Sequence, residues 1–155
     1  MRWLALLPLL ALAAADAPQQ PIPYSHKQHV AMGLKCKDCH TMPEPGELMT
    51  FPATSKCMAC HQSVKKESEA IQKLAAHAAD KKDVPWVRVY QIPSYVFFSH
   101  KAHLESGSTC ETCHGQVASR DRLFKEKEVS MGACMDCHRA NRASLECNYC
   151  HETRQ

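Results

Sequence analysis

The chain has 155 residues, ten cysteines, 6% aromatic residues and a formal net charge of +3. That length allows one domain or two very small ones, and so few large side chains rule out a thick apolar core, so stability has to come from disulfides, metals or cofactors. A charge this small makes no case for nucleic acid or an anionic membrane as partner.

In chain order, Met1 and Arg2 form a short basic start, and Trp3 to Ala15 is apolar, broken only by Pro8. Ala13-Ala14-Ala15 fits a small-residue cleavage site, so residues 1–15 are expected to be a secretory signal peptide cleaved near Ala15. A membrane anchor is the competing reading, but the run is shorter than the roughly 20 residues of a spanning helix. Export to the periplasm follows as the expected localisation. An oxidising compartment makes disulfides the default for an even number of cysteines, a default that their spacing has to test.

Residues 16–63 carry Tyr24-Ser25-His26-Lys27-Gln28-His29, then Cys36-Lys37-Asp38-Cys39-His40 and Cys57-Met58-Ala59-Cys60-His61. Residues 64–83 are expected to form a charged helical linker, with Val64, Ile71, Leu74, Ala75 and Ala78 at helical spacing and Ser63 as its cap. From Val84 to Phe98, the run of Trp86, Val87, Val89, Tyr90, Ile92, Tyr95, Val96 and Phe97 with two prolines suggests an extended, strand-like cover. Residues 84–155 then repeat the first pattern. Phe98-Ser99-His100-Lys101-Ala102-His103 matches residues 24–29, Gly107 matches Gly33, and Cys110-Glu111-Thr112-Cys113-His114 and Cys134-Met135-Asp136-Cys137-His138 follow, with an extra Cys147-Asn148-Tyr149-Cys150-His151. The chain therefore divides into a dihaem-type and a trihaem-type repeat.

All ten cysteines fall in these five C-x-x-C-H motifs. The motif is the attachment signature of c-type haem. Two thiols at that spacing add to the two vinyl groups on one porphyrin edge, and the next histidine swings beneath the ring to meet the iron. Zinc sites built from four cysteines would leave one pair over, and a disulfide framework has no use for the histidine. Five histidines in those five places by chance would be about one in a million. The expected cofactors are five covalently bound haems c, with His40, His61, His114, His138 and His151 as metal ligands. His26, His29, His100 and His103 occupy matching places in the repeats and are expected to ligate as well. His77 has no counterpart and reads first as a solvated surface histidine.

Aromatic-x-H-x-x-H ahead of C-x-x-C-H resembles the class III cytochromes c, small periplasmic multihaem carriers. The resemblance implies that His26 serves the haem at Cys36, His29 that at Cys57, His100 that at Cys110 and His103 that at Cys134. In trihaem relatives a further distal histidine stands where this chain has Met131, which makes Met131 the candidate ligand at Cys147, with His77 or an open position as alternatives; methionine is an accepted axial ligand. The two H-x-x-H units, Cys57-Met58-Ala59-Cys60-His61, Pro85-Trp86-Val87-Arg88-Val89-Tyr90 and Val129-Ser130-Met131-Gly132 are closer still to the pentahaem cytochrome subunit of bacterial alternative complex III and its soluble relatives. The implied fold is mostly irregular coil with short helices wrapped around haems and little β structure.

The expected function is electron transfer rather than enzymatic catalysis. The alternatives are a subunit of a membrane quinol-oxidising complex, or a multihaem reductase with one open haem. Redox partner proteins are expected, and nucleic acid is not. Ten propionates would carry the charge of the exported holoprotein to about −3 oxidised and about −8 reduced.

Overall fold

Both aromatic-Ser-His stretches start helices by the same device. Ser25 and Ser99 sit in extended backbone, and each hydroxyl accepts from the amide three residues on, Gln28 at 3.1 Å and Ala102 at 3.2 Å. This opens α1 (His26–Ala31) and α5 (His100–Glu105). Each helix stops within a turn at a left-handed glycine, Gly33 at φ 91° and Gly107 at φ 92°, a conformation that costs glycine little. The computed structural model describes residues 17–151, so the expected signal peptide lies outside the described residues.

The remaining helices are α2 (Cys36–Cys39), α3 (Thr54–His61), α4 (Glu69–Ala79), α6 (Cys110–His114), α7 (Met131–Ala140) and α8 (Cys147–His151), with a 3₁₀ turn at Val117–Ser119. Among the described residues there is no strand. Residues 84–98 run without a ladder partner, so the strand-like expectation there gives way to loop. Helix and coil around the motifs is the architecture expected.

The linker helix differs in its start. Lys65 takes φ 53°, which breaks the helix between Ser63 and Ser68, and Ser68 rather than Ser63 caps α4 by accepting from Ile71. Val64 is left in the turn, 51% exposed. Leu74 of α4 packs with Ile22 and Val84, and Cys57, Met58, Ala70, Ile71 and Trp86 surround them. Thr54 ties this cluster together: its amide donates to the Asp83 carboxylate at 2.7 Å, its hydroxyl donates to the Lys82 carbonyl at 3.0 Å, and Val84 donates back to that hydroxyl at 3.1 Å. Beyond Val84, no apolar side chain of the described second repeat is fully buried.

The repeats brace one another reciprocally. The segment after α2 reaches α5: Lys101 donates its amide to the Gly46 carbonyl at 2.9 Å, and its ammonium meets Glu44 at 3.2 Å. The segment after α6 reaches α1: Lys27 donates its amide to the Arg120 carbonyl at 3.0 Å, and Ser25 donates to Asp121 at 2.7 Å. Gly46 has φ 89°, and a Cβ there would lie 2.5 Å from Lys101 Cβ. Gly46→Ala is therefore expected to cost about 2 kcal/mol, from left-handed strain plus the clash. It should lower the thermal midpoint of the haem-loaded protein, and an unchanged midpoint would remove the brace from the account.

Candidate haem-binding site

Each aromatic-Ser-His-Lys-x-His stretch is a self-contained positioning unit. Tyr24 stacks on His29 at 4.4 Å and meets His26 edge-on at 4.8 Å. Phe98 does the same to His103 at 4.4 Å and His100 at 4.9 Å. The serine that caps the helix through its hydroxyl also takes the second histidine through its carbonyl, His29 Nδ1 to Ser25 O and His103 Nδ1 to Ser99 O, both 2.7 Å. Sequence reading found the repeat but missed this role of Tyr24, Phe98 and the two serines. The invariance of the pattern between the two halves was the available signal.

The histidines meet in pairs. His26 stands 6.4 Å from His40 with rings nearly parallel at 6°, and His100 stands 6.4 Å from His114 at 2°. His29 is 6.2 Å from His61, tilted 62°, and His103 is 6.1 Å from His138, tilted 47°. These distances can be compared with a metal centre. Metal–imidazole bonds of about 2.0–2.1 Å and about 1.2 Å from nitrogen to ring centre put two imidazoles on opposite sides of one metal about 6.4 Å apart. The four pairs have that gap, whereas packing contacts of these histidines with Tyr24, Tyr90 and Phe98 lie at 4.4 to 4.9 Å.

The protons are placed to match. Besides His29 and His103, Nδ1 of His40 faces Thr50 O at 2.8 Å, His61 faces Val64 O at 3.1 Å, His100 faces Glu47 O at 2.7 Å and His138 faces Ser144 O at 2.6 Å. A carbonyl only accepts, so Nδ1 carries the hydrogen and Nε2 keeps its lone pair for a metal. His26 differs, its Nδ1 being buried without a partner. Burial, then His40 and His29, hold His26 down at about 4, in the neutral form that ligates. Burial likewise lowers His114, helped by His100 and His40.

None of the ten cysteines pairs in a disulfide. No three acidic, cysteine or histidine side chains converge on one point among the described residues. The donor set thus suits two-ligand axial sites beside thiol pairs, as covalent haem requires, and not a four-ligand zinc cage.

The fifth motif stands apart. Among the described residues no ring contact joins His151 to another histidine; its aromatic neighbour is Tyr95, 6.1 Å away at 27°. The turn that carries Tyr95 is fixed by Val96 N–H to Pro93 O at 3.0 Å, and Phe97 N–H to Cys150 O at 2.7 Å pins it to α8. Met131 opens α7 and is 62% exposed, one turn before Cys134. Burial raises the Cys134 thiol, and Cys113 and Cys150 raise it further, so Cys134 lies near a thiol of α6 as well as one of α8. His77 lies instead on α4 beside Pro21, Ile22 and Lys73, with the first-repeat cluster.

Comparison with known proteins gives matches over both repeats. Residues 28–92 match the family described as cytochrome c3, and residues 96–152 match cytochrome c7 and related cytochrome c. A menaquinone reductase multiheme cytochrome c subunit of Nitratidesulfovibrio vulgaris is 32% identical over 163 aligned positions, which span 86% of this chain and 77% of that protein.

Proposed function

We propose, since the chain belongs to the class III-type multihaem cytochromes c and so serves electron transfer, that it does this with five covalently attached haems in the periplasm. The observation that carries the reading is the set of four histidine pairs at 6.1 to 6.4 Å, each joining one H-x-x-H histidine to one C-x-x-C-H histidine. Haem bound there would supply one-electron iron chemistry. The chain's own residues do the rest. Cys36 and Cys39, Cys57 and Cys60, Cys110 and Cys113, Cys134 and Cys137, and Cys147 and Cys150 provide the thioether links. His26 with His40, His29 with His61, His100 with His114 and His103 with His138 would hold the first four irons, and His151 would hold the fifth. The carbonyls on Nδ1 fix each ring and raise its basicity. A potentiometric titration should take up five electrons per chain; four or fewer would sink the five-haem reading.

For the second ligand at Cys147 the first reading is Met131, the exposed residue that opens α7 one turn before Cys134. Tyr95, the aromatic side chain beside His151, is the second reading. The two separate by spectrum. Met131 as ligand gives the ferric protein a methionine–iron charge-transfer band that Met131→Ala removes and Tyr95→Phe leaves. A high-spin ferric signal altered by Tyr95→Phe, with no such band, assigns the position to Tyr95 and revives the reductase reading, which needs one weakly capped iron.

The named relative is a subunit of a menaquinone reductase. By that likeness we place this chain beside a membrane quinone-linked complex, as its cytochrome subunit or as a separate carrier that exchanges electrons with it. No described helix is long and apolar enough to cross a membrane, so attachment would run through partner subunits or through residues outside the described range. Membrane co-purification that survives high salt would favour the subunit form.

A further inference from the structure

We infer that the five attachment sites lie in single file in the order Cys57, Cys36, Cys110, Cys134, Cys147, so that the repeats join through the first site of each and the array ends at Cys57 and Cys147. The inference rests on the five-haem reading above, and it departs from chain order, which would set the Cys57 site next to Cys110.

Within each repeat one short helix fixes the neighbours. α1 carries His26 toward His40 and His29 toward His61, three residues apart and thus about 5–6 Å between Cβ atoms. α5 does the same with His100 toward His114 and His103 toward His138.

Between the repeats, the contact belongs to the Cys36 site. The segment leaving His40 gives its Thr50 carbonyl back to His40 at 2.8 Å and its Glu47 carbonyl to His100 at 2.7 Å. One ten-residue stretch therefore orients a histidine of the Cys36 site and one of the Cys110 site. The stretch after His114 returns the favour by bracing α1 through Arg120 and Asp121. The Cys57 site turns elsewhere: α3 packs on α4 and on the Ile22, Leu74 and Val84 cluster. At the other end, His138 Nδ1 is held at 2.6 Å by Ser144 O, just ahead of α8.

Two measurements test this on the exported, haem-loaded protein. Intact-mass spectrometry counts the attached haems, and fewer than five would remove the reading on which the order rests. Two-dimensional NMR of the reduced protein then tests the order separately, each haem being assigned through the β-protons of its own cysteines. Through-space contacts between the haems at Cys36 and Cys110 are expected, with none between those at Cys57 and Cys110. Absence of the first contact, or its replacement by the second, overturns the order even when all five haems are present.

Discussion

His103→Ala is expected to turn the haem at Cys134 from low-spin to high-spin. The ferric spectrum should gain a high-spin component, and the reduced protein should bind about one more carbon monoxide per chain. The argument is geometric. His103 stands 6.1 Å from His138, its Nδ1 is committed to Ser99 O at 2.7 Å, and Phe98 stacks on the ring at 4.4 Å. Two contacts hold Nε2 toward His138, and no other histidine of the described chain shares that gap. His103→Met should keep six ligands but raise the potential of that haem by about 0.1–0.3 V, because methionine favours the reduced iron. His29→Ala should act alike at Cys57, since α1 repeats the arrangement. Unchanged spectra in both alanine variants would dissolve the proposed pairing.

The chain made without haem attachment should show no cooperative thermal transition and should lose most of its helical signal. Only Ile22, Leu74 and Val84 are buried apolar residues among those described. At about 1.5–3 kcal/mol each, they fall far short of the ordering entropy of a chain of this length. Most of the helices are no longer than eight residues, below the length at which a helix persists alone. Meanwhile Met32, Leu48, Tyr95, Met131 and Tyr149 are each more than 60% exposed, apolar surface with no protein to cover it. Replacing all ten cysteines by alanine and recording circular dichroism against temperature checks this. A cooperative melt in that variant would mean that the polypeptide carries its own core.

The two variants probe different levels of one design. Histidine replacement leaves the thioether links and most packing in place, so its effect is confined to one iron. Cysteine replacement removes the cofactor that we take to be the core, so its effect is global. With the five proposed haems in place, their carboxylates would outweigh the positive sequence charge. Lys37 acts on Cys110 and Lys56 on Cys39, so both lie beside attachment thiols and would offset propionates rather than mark a basic docking face.

The sequence by itself determined the motifs, the duplication and the helix-and-coil class, because covalent chemistry demands residues at fixed local spacing. Cys-x-x-Cys-His, and serine ahead of His-x-x-His, act within one or two turns of chain and need no tertiary information. The start of α4 was misread, since Ser63 and Ser68 are equally good caps by composition and only the left-handed Lys65 decides between them. Residues 84–98 looked like a strand because β-branched and aromatic residues also suit a loop that covers cofactor edges. The tertiary structure alone decided which histidines face each other, that Tyr95 rather than His77 stands by the fifth motif, and that the two repeats clasp through Gly46–Glu47 and Arg120–Asp121. The clasps at Gly46, Glu47 and Arg120 join residues more than fifty positions apart through backbone carbonyls, which every residue possesses and no sequence pattern marks.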